Sequence, residues 1–181
     1  VGRNDERIVK FVIAGRDSEK ALPGRAGGDP AGLARVDEPG LYVLGYRSAN
    51  AFVEMAPAKF EDYLNEKGLS QIVAARREKK QTEQAGREQY SRCSKCLLPV
   101  GASAAEGSDR ELGFTLELIA ETNPYATTAG SELKFRLIHA GKPLAGARVD
   151  ARRRDDADHP LHALTDDTGR VTFKLDHPGV W

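Results

Sequence analysis

The chain has 181 residues, with 27 basic side chains balanced by 27 acidic ones, and 40% of its residues are hydrophobic. That length suits one or two domains with ordinary cores. The cancelled charge argues against a general nucleic-acid binder, which needs a basic face to displace counterions, and no apolar run approaches the ~20 residues of a membrane helix.

The first strand signal is "RIVKFVIAG" (7–15), rich in β-branched and aromatic residues. A loop follows, "RDSEKALPGRAGGDPAG". Its glycines are not followed by Lys-Ser/Thr or by a helix, so a loop is favoured over a phosphate cradle. "VDEPGLY" (36–42) then sets a Pro-Gly turn before "LYVLGYRS", which is apolar on both faces and therefore predicts a central strand. "AFVEM" (51–55) predicts another strand. At Pro57 the period changes. Phe60, Tyr63 and Leu64, then Leu69, Ile72 and Val73, recur at helical spacing, with Pro57 suited to a first turn and Gly68 to a break. A helical insertion at about 57–90, with a charged solvated tail, is expected.

Extended structure returns at "YSRCSKCLLPV" (90–100), and "GASAAEGSDRE" (101–111) is linker-like. "LGFTLELIAE" alternates so as to place Phe114, Leu116, Leu118 and Ala120 inward, with Thr115, Glu117 and Ile119 outward. "SELKFRLIHAG", "ARVDARR" and "RVTFKL" complete a series of strands spaced near ten residues. In the last, Val171, Phe173 and Leu175 alternate with Arg170, Thr172 and Lys174. The chain ends on "LDHPGVW", an echo of "VDEPGLY". The repeat predicts a turn-strand-turn-strand unit used twice, with Tyr42 and Trp181 as equivalent inward aromatics. The second copy stops where the first continues, and the first residue is not Met. From this the expectation is a natural C-terminus beyond Trp181 and a targeting segment already removed.

The fold class expected is mainly β: two immunoglobulin-like β-sandwich domains with a short helical insertion. The boundaries are 1–112 and 113–181, the second domain short of its final strand.

"NPY", "GKPLAGARV", "TDDTGRV" and "PGVW", preceded by "DEPGLYVLGYRS", "PAKFEDYLNEKGL" and "GREQYSRCSKCLL", give the chain a resemblance to the bacterial family of the domain of unknown function 4198. The ordered set covers about residues 29–181. The resemblance implies an exported, periplasmic β-sandwich protein, in some cases encoded beside nickel or cobalt uptake systems, and no established catalysis. Family members usually begin with a His-x-Phe-Trp-like segment and continue past the terminal Trp into a strand with another His. This chain carries neither, so no metal ligand transfers by residue.

No nucleophile elbow and no His-Glu-x-x-His motif occurs, and the chain is read as not an enzyme. The favoured function is a non-catalytic ligand- or metal-binding carrier, an accessory to transition-metal uptake with a membrane transport component as partner. A structural or adhesion module is the alternative, and a hydrolase ranks behind it. Candidate ligands for a nickel, cobalt or copper ion are Cys93, Cys96, His159 and His162. "CSKC" is half of a zinc ribbon without its second half. On a regular strand, positions three apart face opposite ways, which forbids a disulfide and leaves one Cys as a small core residue. A turn or bulge would permit a disulfide or ligation. "HPLH" sits on an expected hairpin that presents two imidazoles, although exposed loop histidines are the commoner outcome.

Overall fold

The computed structural model describes residues 2–181, a mainly β chain with two α-helices. Contacts divide it into two compact units: Val1–Ala49 with Arg92–Trp181, and Asn50–Ser91. The first unit holds β1 (Ile8–Ala14), β2 (Glu19–Ala21) and β3 (Gly40–Ser48). The second holds β4 (Ala51–Met55), α1 (Pro57–Glu66), α2 (Ser70–Glu78) and β5 (Gly86–Tyr90). The chain returns to the first unit with β6 (Cys93–Val100), β7 (Leu116–Ala120), β8 (Glu132–His139), β9 (Lys142–Pro143), β10 (Arg148–Arg153), β11 (Asp156–Leu164) and β12 (Arg170–Lys174). No helix among the described residues is long and apolar enough to cross a membrane.

Strand β3 is central, as its two apolar faces require. It lies between β1 and β6 in an antiparallel sheet of order β2-β1-β3-β6. Its buried side carries Leu41, Val43 and Gly45. Val43 clusters with Val12, Ala14, Leu112 and Phe114, and Cys93 and Leu97 of β6 pack at the margin. Gly45 is needed there: a Cβ would lie 2.2 Å from a methyl of Leu112 and 2.9 Å from the Phe114 ring. A second sheet has the order β12-β8-β7, with β9 on β8, and β10-β11 form a separate ribbon. In β12 the alternation is as expected: Val171 and Phe173 are buried, and Arg170, Thr172 and Lys174 are exposed.

Phe114 and Ala120 are buried as expected, but between them strand β7 reverses the assigned face. Glu117, Ile119 and Ala120 are buried, whereas Leu116 is 44% exposed. The cause is an ionic cluster. Lys95 Nζ lies 2.8 Å from Asp109 and 3.1 Å from Glu117, with the Glu117 side chain 0% and that of Asp109 5% exposed. Glu117 also accepts the backbone N–H groups of Leu112 (2.6 Å) and Phe114 (3.0 Å), and Asp109 accepts that of Ala120 (2.8 Å). A carboxylate with this many donors tolerates burial, and the strand follows its carboxylate. The compact units thus differ from an expected boundary at 112/113. Leu112 and Phe114 share one cluster with β1 and β3.

In the second unit, Phe60, Leu64 and Val73 form the core, with Met55, Tyr63 and Leu69 against it. Gly68, at φ +69°, separates the helices as its sequence position predicts. The helical stretch ends earlier than expected. Residues 86–90 form β5, which pairs with β4. Gly86 faces the Phe60 ring so closely that a Cβ would sit about 2.0 Å from it. The Arg76 guanidinium lies over that ring, 4.9 Å from its centroid.

The echo does not become two matching hairpins. Residues 31–39 form no strand, and neither do residues 175–181. There the Val180 carbonyl accepts the Arg154 N–H and the Trp181 indole N–H bonds the His177 carbonyl. Tyr42 lies half-buried in β3 and Trp181 half-buried outside any strand.

Two stability measurements follow. Glu117→Ala strips two buried amide donors of their acceptor and leaves Lys95 with Asp109 as its one carboxylate, and lowers the unfolding free energy by about 3–5 kcal/mol, measured by denaturant melts. Lys95→Met with Asp109→Asn and Glu117→Gln removes all three charges together and costs less than Glu117→Ala alone; an equal or greater cost contradicts the desolvation argument. The second concerns Glu121, whose pKa is lowered by the paired hydrogen bonds of Arg170, against a smaller opposing effect of burial, with Arg170 and Arg136 charge assisting. A depressed carboxylate stabilises the fold above its ordinary range and loses that contribution as pH falls through the folded value. Glu121→Gln therefore gives a shallower loss of melting temperature below about pH 4 than wild type.

Candidate functional site

At the end of the first sheet the chain encloses an open cleft of about 980 Å³. The β1-β2 hairpin contributes Arg16, Asp17, Ser18 and Lys20. The segment entering β3 contributes Arg35, Asp37, Glu38 and Tyr42. Residues after β6 contribute Ser103, Glu106, Ser108 and Arg110. Its size is at the upper end for small-molecule sites, and its lining is more polar than is usual for them.

Backbone clamps hold these walls. Arg110 Nη1 donates to the carbonyls of Gly15 and Arg16, tying the hairpin tip to the linker. Asn123, of the "NPY" stretch, donates through Nδ2 to the carbonyls of Ala104 (2.9 Å), Ala105 (3.2 Å) and Gly107 (2.8 Å), and accepts the Tyr125 N–H. It holds the 3-10 turn Ala102–Glu106 that carries Ser103 and Glu106. Gly107 is needed where that turn meets β3: a Cβ would come within 2.3 Å of the Leu41 Cβ. The Tyr42 hydroxyl donates to the Glu38 carbonyl. Arg35 pairs with Asp37 at 2.6 Å. Among the described residues the side chains of Arg16, Asp17, Lys20, Glu38 and Glu106 carry no ion pair or hydrogen bond, and all five are exposed. The linker composition of 101–111 is visible in the sequence, but nothing in it signals a cleft.

The sequence-derived ligand candidates are not gathered into one site. Cys93 and Cys96 lie on the regular strand β6, opposite Arg47 and Leu44 of β3. Both are free thiols, Cys93 half-buried beside the core and Cys96 exposed. The extended geometry keeps them on opposite faces. His159 and His162 are on β11: His159 falls in an irregular stretch where residues 157–160 face Arg152 alone between the pairs Ala151–Leu161 and Arg153–Asp156, and His162 pairs in register with Asp150. Each ring is held by its own carboxylate: His159 Nδ1 stands 2.6 Å from Asp156, and His162 Nδ1 stands 2.6 Å from Asp150. Burial raises the Asp150 pKa, but hydrogen bonds from Arg148 and His162 outweigh it, and the net shift is downward. The His159 hydrogen bond lowers that of Asp156. Because a carboxylate only accepts, each Nδ1 carries the proton, and the neutral imidazole presents Nε2 as its lone pair. Among the described residues, no three His, Cys, Asp or Glu side chains form a group that could hold a metal ion.

The strand geometry is checked by thiol counting. Two thiols titrate in denaturant without reductant. In the native protein Cys96 reacts rapidly with a disulfide reagent and Cys93 at least tenfold more slowly. A single oxidised pair contradicts the register of β6.

Residues 3–181 match the family described as a domain of unknown function, DUF4198, and the chain belongs to that family. No curated protein and no solved structure matches it.

Proposed function

We propose that this DUF4198 chain is a non-catalytic binding or carrier protein, exported to the periplasm, whose ligand occupies the cleft at the end of the first sheet. The observation that carries the reading is the clamped cleft itself. Arg110 and Asn123 fix its walls through backbone carbonyls, while several ionic side chains at its mouth are left without partners. Walls fixed beforehand reduce the ordering cost of binding. An immunoglobulin-like sandwich is part of the same proposal. It is supported by Lys95 of β6 and Glu117 of β7, an ion pair between strands of two different sheets in one compact unit.

Transition-metal carriage is the second reading. The two His-Asp pairs favour it, since a carboxylate on Nδ1 orients a histidine for ligation through Nε2. Nickel, cobalt or copper would then be cargo, delivered to a membrane transport component.

A thermal-shift panel of polar metabolites, and of Ni(II), Co(II) and Cu(II), against the tag-free protein separates these readings. For the cleft, a ligand at a hundred times its Kd stabilises wild type by about 2.7 kcal/mol. Ser108→Trp, which fills the cleft, abolishes the shift without changing the unliganded melting temperature. Metal shifts lost in His159→Ala/His162→Ala identify the second reading. No shift with any ligand, or a metabolite shift that persists in Ser108→Trp, sinks the cleft reading.

A further inference from the structure

The free cations of the cleft lie on one element. Once Arg35 and Asp37 are set aside as a pair, the cations without an internal partner among the described residues are Arg16 and Lys20, both on the β1-β2 hairpin. On the other wall the free groups are anions only. Glu38 lies on the segment entering β3, and Glu106 ends the 3-10 turn after β6. Those two segments abut: a Cβ on Gly101 would lie 2.9 Å from Pro39, and one on Gly107 2.3 Å from Leu41. Asp17 adds one anion at the hairpin tip.

A simple anion would meet Glu38 and Glu106, and a simple cation would meet Arg16 and Lys20. A ligand that carries both charges, apart from one another, satisfies both walls. Volume then separates two sources of that chemistry. At about 980 Å³ the open cleft has room for more than one amino acid, and the apolar residues Ile13, Val36 and Leu41, with Tyr42, also line it. We infer that the cleft binds a short peptide through its free ends, the terminal amine against Glu38 and Glu106 and the terminal carboxylate against Arg16 and Lys20. Terminal amines and carboxylates are recurrent recognition handles for peptides. The inference rests on the reading of the cleft as the ligand site. All four contacts are exposed to solvent, so the binding is weak and salt-sensitive.

The test is calorimetric titration of the whole chain with trialanine, N-acetyl-trialanine, trialanine amide and free alanine, at low and high salt. Trialanine is expected to bind, with at least a tenfold loss on capping either end. In Glu38→Gln/Glu106→Gln, the free and acetylated peptides bind equally weakly. In Arg16→Gln/Lys20→Gln, the free and amidated peptides do. All four residues are exposed and unpaired, so these variants keep the wild-type melting temperature. Capped peptides that bind as well as trialanine overturn the inference, as does free alanine binding as tightly. Absence of trialanine binding at millimolar concentration also overturns it. If the peptide fails while another metabolite gives a shift abolished by Ser108→Trp, the cleft remains the ligand site and only its assignment to peptides falls.

Discussion

The ion cluster of Lys95, Asp109 and Glu117 is the constraint on which the first unit depends. Three formally charged side chains sit where water is excluded, with Lys95 itself only 10% exposed. Such an arrangement survives only if every lone pair and proton finds a partner. Here the partners are mostly backbone: the amides of Leu112, Phe114 and Ala120, and the carbonyl of Arg110, which accepts from Lys95. The cluster therefore dictates the course of residues 109–120. That course delivers Leu112 and Phe114 against Val43, leaves room at position 45 only for glycine, and sets Arg110 where it reaches the hairpin tip. Lys10 closes the same path by donating to the Leu112 carbonyl while pairing with Glu19.

What was legible in the sequence was what depends on local pattern. Two-residue alternation placed β12 with the correct face inward, the all-apolar run at 41–46 placed β3 in the middle of its sheet, and Pro57 and Gly68 bracketed α1. Pattern failed where a distant partner decides. Glu117 reads as a solvent position unless Lys95 is known to meet it. The available signal was a lysine at an inward position of β6, between Cys93 and Leu97. Gly86 likewise looked like part of a charged helical tail. Only its approach to Phe60 shows why a strand must pass there. The echo of "DEPGLY" and "DHPGVW" was a likeness of turn chemistry. A Pro-Gly turn does not by itself supply the strand partner that the first copy finds in β1 and β6.

The candidate site was the least legible part, for a physical reason. Its walls are loops, and loops are positioned by single hydrogen bonds from remote side chains rather than by periodicity. Asn123 makes the point: one amide donates to three carbonyls of the turn that forms a wall. The cysteines and histidines attracted notice by residue type alone. Strand geometry set the thiols apart, and separate carboxylates took each imidazole.

The Ser48–Arg92 contact has a consequence for how the chain accommodates a change in length. Ser48 donates its N–H to the Arg92 carbonyl, and its hydroxyl accepts the Arg92 N–H. Residues 50–91 therefore leave and rejoin the chain at adjacent rungs of one antiparallel ladder, directly after Arg47 pairs with Cys93. Topologically they are the loop of a hairpin, a loop with a core of its own. The entropy of closing a loop rises only logarithmically with its length, so added length weakens the parent ladder little. The segment is built as a cassette: a change in its length leaves the register of the flanking sheet untouched.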